Sequence, residues 1–144
     1  MSIQYRKAIS KDEGELFDLA AKLATSFELN RTDFTRTFHG VLSNKEADLF
    51  VAETETGLIG YVLAFHHATF YANGEISRVE ELFVLEDYRG KGIGKNLMTH
   101  MEQIAVQRGS KLVSLATRRA GDFYKAIGYE ESAVYFKKYL TSVE

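Results

Sequence analysis

This chain predicts an α+β fold with a mixed, mostly antiparallel sheet and helices on both faces, and three observations carry that expectation. Two apolar runs, Leu49 to Glu53 and Ile59 to Ala68, are separated by Thr54-Glu55-Thr56-Gly57, which is the grammar of an antiparallel hairpin. Later, the strand-like run Ile76 to Leu85 leads through a glycine-rich loop into a helical pattern and then a short apolar strand, a βαβ crossover. The chain has 144 residues, 45% apolar and 26% charged, enough to bury one good core, so a single domain is expected over 1–144.

Each element has a local reason. Ile3 to Ala8 reads as a strand, and Ser10 with Glu13 three residues on is a capping box for a following helix. Leu16, Phe17, Leu19, Ala20, Leu23, Ala24 and Phe27 recur at helical steps and give that helix a broad buried face. Asn30 with Asp33 repeats the cap and opens a second helix carrying Phe34, Phe38, Val41 and Leu42. The hairpin follows, and Asn73-Gly74 breaks the next apolar stretch before the strand Ile76 to Leu85.

Gly92 to Gln107 is helical, with Ile93, Leu97, Met101 and Ala105 on one face, Met98 and Ile104 beside it, and Gly109 as its stop. Lys111 to Ala116 is a short buried strand, Arg119 to Ile127 a short helix ended by Gly128, and Tyr129 to Leu140 a last strand. The expected order is β-α-α-β-β-β-α-β-α-β.

The chemistry is concentrated in Val84-Leu85-Glu86-Asp87-Tyr88-Arg89-Gly90-Lys91-Gly92-Ile93-Gly94-Lys95. This segment leaves a strand, holds three glycines in five residues, and opens a helix. Without Cβ atoms, its amides and the first helical turn can converge on phosphate oxygens, and Arg89, Lys91 and Lys95 add positive charge. The G-x-G-x-G spacing and late position do not fit the dinucleotide fingerprint, which needs G-x-G-x-x-G in an early βαβ unit. Nor do they fit the nucleoside-triphosphate loop, because Gly94-Lys95 is followed by Asn96 and Arg89 stands where that loop needs its first glycine.

Composition bounds the rest. The 18 basic and 20 acidic residues give a formal charge of −2, which argues against general nucleic-acid binding. No cysteine means no disulfide framework, thiol nucleophile or thiolate metal site. His39, His66, His67 and His100 share no metal-binding spacing, so no metal is expected. No stretch approaches 18 apolar residues and the N-terminus has no long apolar core, so no membrane association and a cytoplasmic location are expected. The run Ala133 to Leu140 carries more aromatic surface than one strand of a small sheet can bury, which points to a homodimer.

Two motifs now place the chain beside a known family. Arg89-Gly90-Lys91-Gly92-Ile93-Gly94 followed by Phe123-Tyr124-Lys125-Ala126-Ile127-Gly128-Tyr129 resembles the GNAT superfamily of acyl-coenzyme A N-acyltransferases, over nearly the whole length. The resemblance implies acetyl-CoA as cofactor. It further implies that Phe83 and Val84 meet the pantetheine arm, that Arg89, Gly90, Lys91, Gly92, Ile93, Gly94 and Lys95 hold the phosphates, and that Phe123 lies beside the cofactor. Thr117 stands where many members have a cofactor-binding asparagine. Glu80, nine positions before the motif arginine, matches a frequent glutamate, and Glu81 an acidic neighbour present in some polyamine acetyltransferases.

Amine acetylation needs a deprotonated amine, a polarised carbonyl and a proton for the departing thiolate. A carboxylate can take the amine's proton, directly or through water, so Glu80 is read as the base and Glu81 as a carboxylate that attracts the amine. Neighbours on one strand face opposite ways, so both can serve only if a bulge turns one of them. Tyr124 is the expected proton donor, and a backbone N–H near Val84 the group that polarises the carbonyl. Arg118 and Arg119 could reach the phosphates. The expected function is N-acetyl transfer to a small primary amine such as a polyamine or aminoglycoside. The alternatives are a protein or peptide acceptor, and a non-catalytic acyl-CoA-binding regulator.

Overall fold

The structure is a computed structural model that describes residues 2–142; Met1, Val143 and Glu144, the ends of the expected single domain, lie outside the described residues. Five strands form one sheet in the order β1-β2-β3-β4-β5: β1 (Gln4–Lys7), β2 (Ala47–Thr54), β3 (Gly57–Thr69), β4 (Gly74–Val84) and β5 (Val113–Leu115). The first three pairings are antiparallel and β4 pairs with β5 in parallel. The helices are α1 (Glu13–Leu23), α2 (Arg31–Ser43), α3 (Ile93–Arg108) and α4 (Gly121–Ala126). Among the described residues no helix is long and apolar enough to cross a membrane.

Both faces of the sheet are covered, which places the crossover helix opposite the N-terminal pair. Ile93, Leu97, Met98 and Met101 of α3 pack on Phe50, Ala52, Val62, Ala64 and Val79. On the other face Leu16 and Leu19 of α1 and Phe38 of α2 pack on Val51, Leu58, Tyr61 and Phe83. Burial on this scale is the main source of stability, at about 1.5–3 kcal/mol for each large side chain removed from water.

Caps explain the helix starts. Asn30 accepts a hydrogen bond from the Asp33 amide at 2.9 Å, as its spacing predicts. The Ser10–Glu13 box does not form, because a short 3₁₀ turn over Ser10–Asp12 comes first and Asp12 instead accepts from the Ile9 amide at 2.8 Å. Asp12 is buried and bidentate to Arg6, which also holds Glu53, and the guanidinium keeps the Asp12 carboxyl below its usual range. Of the histidines, His66 is buried between Ser77 (2.7 Å) and Asp48 (2.9 Å), where it ties β2, β3 and β4 together.

The expected last strand is a correction. Residues 129–142 form no strand and pair with no neighbour, and 130–142 are exposed. β5 is only three residues long, so the edge beyond β4 offers a partner strand few ladder hydrogen bonds. The segment is held by side chains instead. The Tyr139 hydroxyl lies 2.7 Å from Ser26 Oγ, its ring meets Phe27 edge-on at 5.9 Å, and Arg78 stands 5.9 Å from the Tyr135 ring. A run of β-branched and aromatic residues looks the same in either setting, because only a partner strand makes it a ladder.

Candidate active site

Two features of β4 build the site. Pairing with β5 ends at Val79↔Leu115, while pairing with β3 continues to Val84↔Gly60. From Glu80 to Val84 one edge of β4 therefore has no strand beside it, and the backbone groups on that edge are open to pairing with an extended chain, except the Val84 carbonyl, which accepts from Arg89.

The second feature is a β-bulge. Ala64 faces Val79 and Leu63 faces Glu81, so Glu80 is the extra residue. Alternation is reset there: Val79 belongs to the α3 face, whereas Glu81 and Phe83 belong to the α1–α2 face. Glu80 and Glu81, which simple alternation would send to opposite sides, line one cavity of about 750 Å³ between α1, α2 and the C-terminal segment. The bulge condition set by the sequence is met.

The carboxylates differ in their partners. Glu80 pairs with Arg78 at 3.2 Å and is exposed. Glu81 accepts from the buried Tyr61 hydroxyl at 2.6 Å. Burial first, and then the Glu81 charge and hydrogen bond, push the Tyr61 phenol far above its ordinary value, so it stays protonated and fixes the Glu81 side chain. Leu16, Ala20, Leu23, Phe34 and Phe38 supply the apolar wall.

Beyond Val84 a single 3₁₀ turn, Glu86–Tyr88, delivers the chain to Arg89 and the glycines. Gly90 and Gly92 adopt φ of 78° and 84°, a left-handed backbone that side chains resist, and a Cβ on either would project into open space. Gly92 caps α3 with no side-chain hydrogen bond, so the first amides of a sixteen-residue helix are left for an anion. Lys91 lies 5.5 Å from the Tyr88 ring, and Lys95 is exposed on the first turn. Arg89 turns back, donating to the Val84 carbonyl at 2.8 Å and stacking on Phe83 at 5.4 Å.

α4 closes the other side. A methyl group on Gly94 would lie 3.3 Å from Phe123 Cζ and 3.8 Å from Val84 Cγ2, so the cradle, the end of β4 and α4 meet at one point. Tyr124 follows, edge-on to Phe123 at 4.9 Å and to Tyr129 at 5.9 Å. Burial raises its phenol above the ordinary value, and no hydrogen bond contributes. The Thr117 hydroxyl accepts from the Ala120 amide at 3.0 Å and so shapes the entry to α4.

Sequence reasoning missed Tyr61, Arg78, Lys137 and Tyr139 around this cavity. Tyr61 is readable as a cavity residue, and Arg78 as the partner of Glu80, only once the bulge and the β3–β4 register are known. Lys137 and Tyr139 lie in the segment expected to be a strand.

An open-edged strand, a left-handed glycine turn and an uncapped helix fit a long ligand with an extended arm and a phosphate end, the shape of an acyl-CoA. The profile of the acetyltransferase (GNAT) domain matches residues 45–131, more than half of the chain. The chain belongs to the GNAT superfamily of acyl-CoA-dependent acetyltransferases, and the cradle fits the acetyl-CoA that the family uses. An uncharacterised N-acetyltransferase of Methanocaldococcus jannaschii is 30% identical over 102 residues, which cover 67% of this chain and 45% of that protein. Aminoalkylphosphonate N-acetyltransferase of Salmonella typhimurium is 29% identical, covering 95% of this chain and 91% of that protein. Among solved structures, glucosamine-6-phosphate N-acetyltransferase from Arabidopsis thaliana superposes with a TM-score of 0.86 at 22% identity, covering 98% of this chain and all of that one. That likeness is one of fold.

Proposed function

We propose that this protein transfers the acetyl group of acetyl-CoA to the primary amine of a small molecule. The observation that carries the reading is the bulge at Glu80, which sets two carboxylates on the wall of one cavity beside the open edge of β4. A cavity of about 750 Å³ suits a small acceptor better than a peptide. Two relatives have names that specify small amines, the aminoalkylphosphonate enzyme and a thialysine N-ε-acetyltransferase of Bos taurus, 32% identical over 79 residues.

Acetyl-CoA supplies the activated acetyl thioester. The amides following Arg89 hold its phosphates, and the unpaired edge at Phe83 and Val84 its pantetheine arm. Glu81, held by Tyr61, attracts the ammonium group. Glu80, more exposed, receives the proton directly or through water. Tyr124 offers its phenolic proton to the departing sulfur. Thr117 and Phe123 shape the wall beside the cofactor.

Thiol release from acetyl-CoA, measured over polyamines, aminoglycosides, aminoalkyl anions and peptides, tests the activity. Glu80→Gln is expected to lower kcat on the order of 10²-fold, while Glu81→Gln mainly raises KM. The reverse pattern would exchange the two roles. Acetyl-CoA binding without turnover of any amine would favour the regulatory alternative.

A homodimer belongs to the same proposal. Along the extended C-terminal segment Tyr135, Lys137 and Tyr139 turn toward their own chain, whereas Val134, Phe136 and Leu140 stand 79–90% exposed. This outward apolar row supports burial against a second copy. Light scattering at micromolar concentration should give twice the chain mass, and a monomer there removes the dimer.

A further inference from the structure

The acceptor cavity is not uniformly acidic. Glu28, Asp33, Glu80 and Glu81 line it, and together they suit a cation. Lys137 is the one basic residue among its described lining residues, and it comes from the unpaired C-terminal segment. With four carboxylates in the same wall, a lysine serving only to balance charge would be found against one of them. Yet no carboxylate oxygen among the described residues lies within 4.0 Å of its ammonium, although eight contacts of Arg or Lys side chains with carboxylates occur among those same residues. Its neighbour is instead the Tyr139 ring, 4.9 Å away.

Tyr139 anchors the position. Its hydroxyl meets Ser26 Oγ at 2.7 Å and its ring meets Phe27, in the connection between α1 and α2, so the segment crosses the cavity at a defined place. The cations nearest the carboxylates are already engaged, Arg78 with Glu80 and Arg36 with Asp33. Lys137 lies against Tyr139, pairs with no carboxylate among the described residues, and lines the same space as the carboxylates that receive the amine.

From this arrangement we infer that the acceptor carries an oxyanion as well as its primary amine, and that Lys137 recognises the oxyanion while Glu80 and Glu81 receive the amine. The substrate class is an aminoalkyl anion: a phosphonate, phosphate ester or carboxylate joined to a primary amine. A polyamine fits less well, because its second ammonium would face that of Lys137. The inference rests on the acetyl-transfer reading and narrows its acceptor.

Steady-state kinetics separate the two. The wild-type protein and Lys137→Gln are compared on 2-aminoethylphosphonate, β-alanine, propylamine and 1,4-diaminobutane, with circular dichroism confirming the fold of the variant. The wild type is expected to prefer one of the two anionic amines over propylamine. Lys137→Gln should raise KM for that acceptor about tenfold or more, the usual scale for a hydrogen bond to a charged group, with kcat little changed. Propylamine should be unaffected and the diamine unaffected or improved, while Lys137→Arg should restore most of the loss. An equal effect on all four amines, or a wild type indifferent to the anion, would overturn the inference and leave the acetyltransferase reading intact. No turnover of any amine would overturn both.

Discussion

Tyr124→Phe is expected to slow the chemical step by roughly 10²-fold, the lower end of what general acid–base catalysis contributes, with acetyl-CoA affinity nearly unchanged. The ring and its edge-on contacts with Phe123 and Tyr129 survive the substitution, so packing is preserved and only the hydroxyl is removed. That hydroxyl is half-buried, and burial holds the phenol protonated throughout the neutral range. Ordinary values of about 10 for a phenol and about 8.5 for a thiol make transfer to a free thiolate uphill. The hydroxyl is therefore expected to act chiefly by hydrogen bonding to the charge that develops on sulfur as the carbon–sulfur bond breaks, with the proton passing over only once the thiolate is fully formed. Single-turnover rates with an accepted amine isolate this step from product release. An unchanged rate in the Phe variant would leave Tyr124 as a packing residue.

Gly92→Glu is expected to weaken acetyl-CoA binding by on the order of 10²-fold or more. Three effects act together. The residue has φ 84°, where any side chain strains the backbone by roughly 1 kcal/mol. The added group projects into the open space proposed for phosphate. Its charge also opposes the ligand, since two like charges about 4 Å apart repel by roughly 4 kcal/mol near a protein surface. Gly92→Ala shares the strain without the charge and should lose much less. Calorimetry on both variants, with folding checked by thermal melting, measures the difference. Undiminished affinity in a folded Gly92→Glu protein would mean that phosphate does not bind at this turn.

Much of the architecture was legible because its causes are local. Asn30 caps α2 through an amide three residues away, Gly109 and Gly128 adopt the left-handed conformation at helix ends, and the Thr54–Gly57 turn joins β2 to β3. The periodicity of Ile93, Leu97, Met98, Met101 and Ala105 matches the buried face of α3. The glycine cradle was legible for the same reason, since positive φ and an uncapped helix start depend on residues adjacent in the chain.

What the sequence by itself determined, then, was the order of elements through α4, the cradle, and the residue types available for proton transfer. Tertiary structure decided where those groups face. The bulge that brings Glu80 to the side of Glu81 arises from the pairing of Leu63 and Ala64 with β4, a register set some seventeen residues away along the chain. The fate of Tyr129 to Leu140 was decided in the same way. Its composition suits a strand, but a ladder needs a partner edge, and β5 ends after three residues. Left unpaired, the segment settles by side-chain contact across the cavity beside Glu80 and Glu81 and brings Lys137 to its lining. Backbone conformation is chosen within a few residues, whereas hydrogen-bond partners across a sheet and the contents of a cavity depend on whichever distant segments the fold brings together.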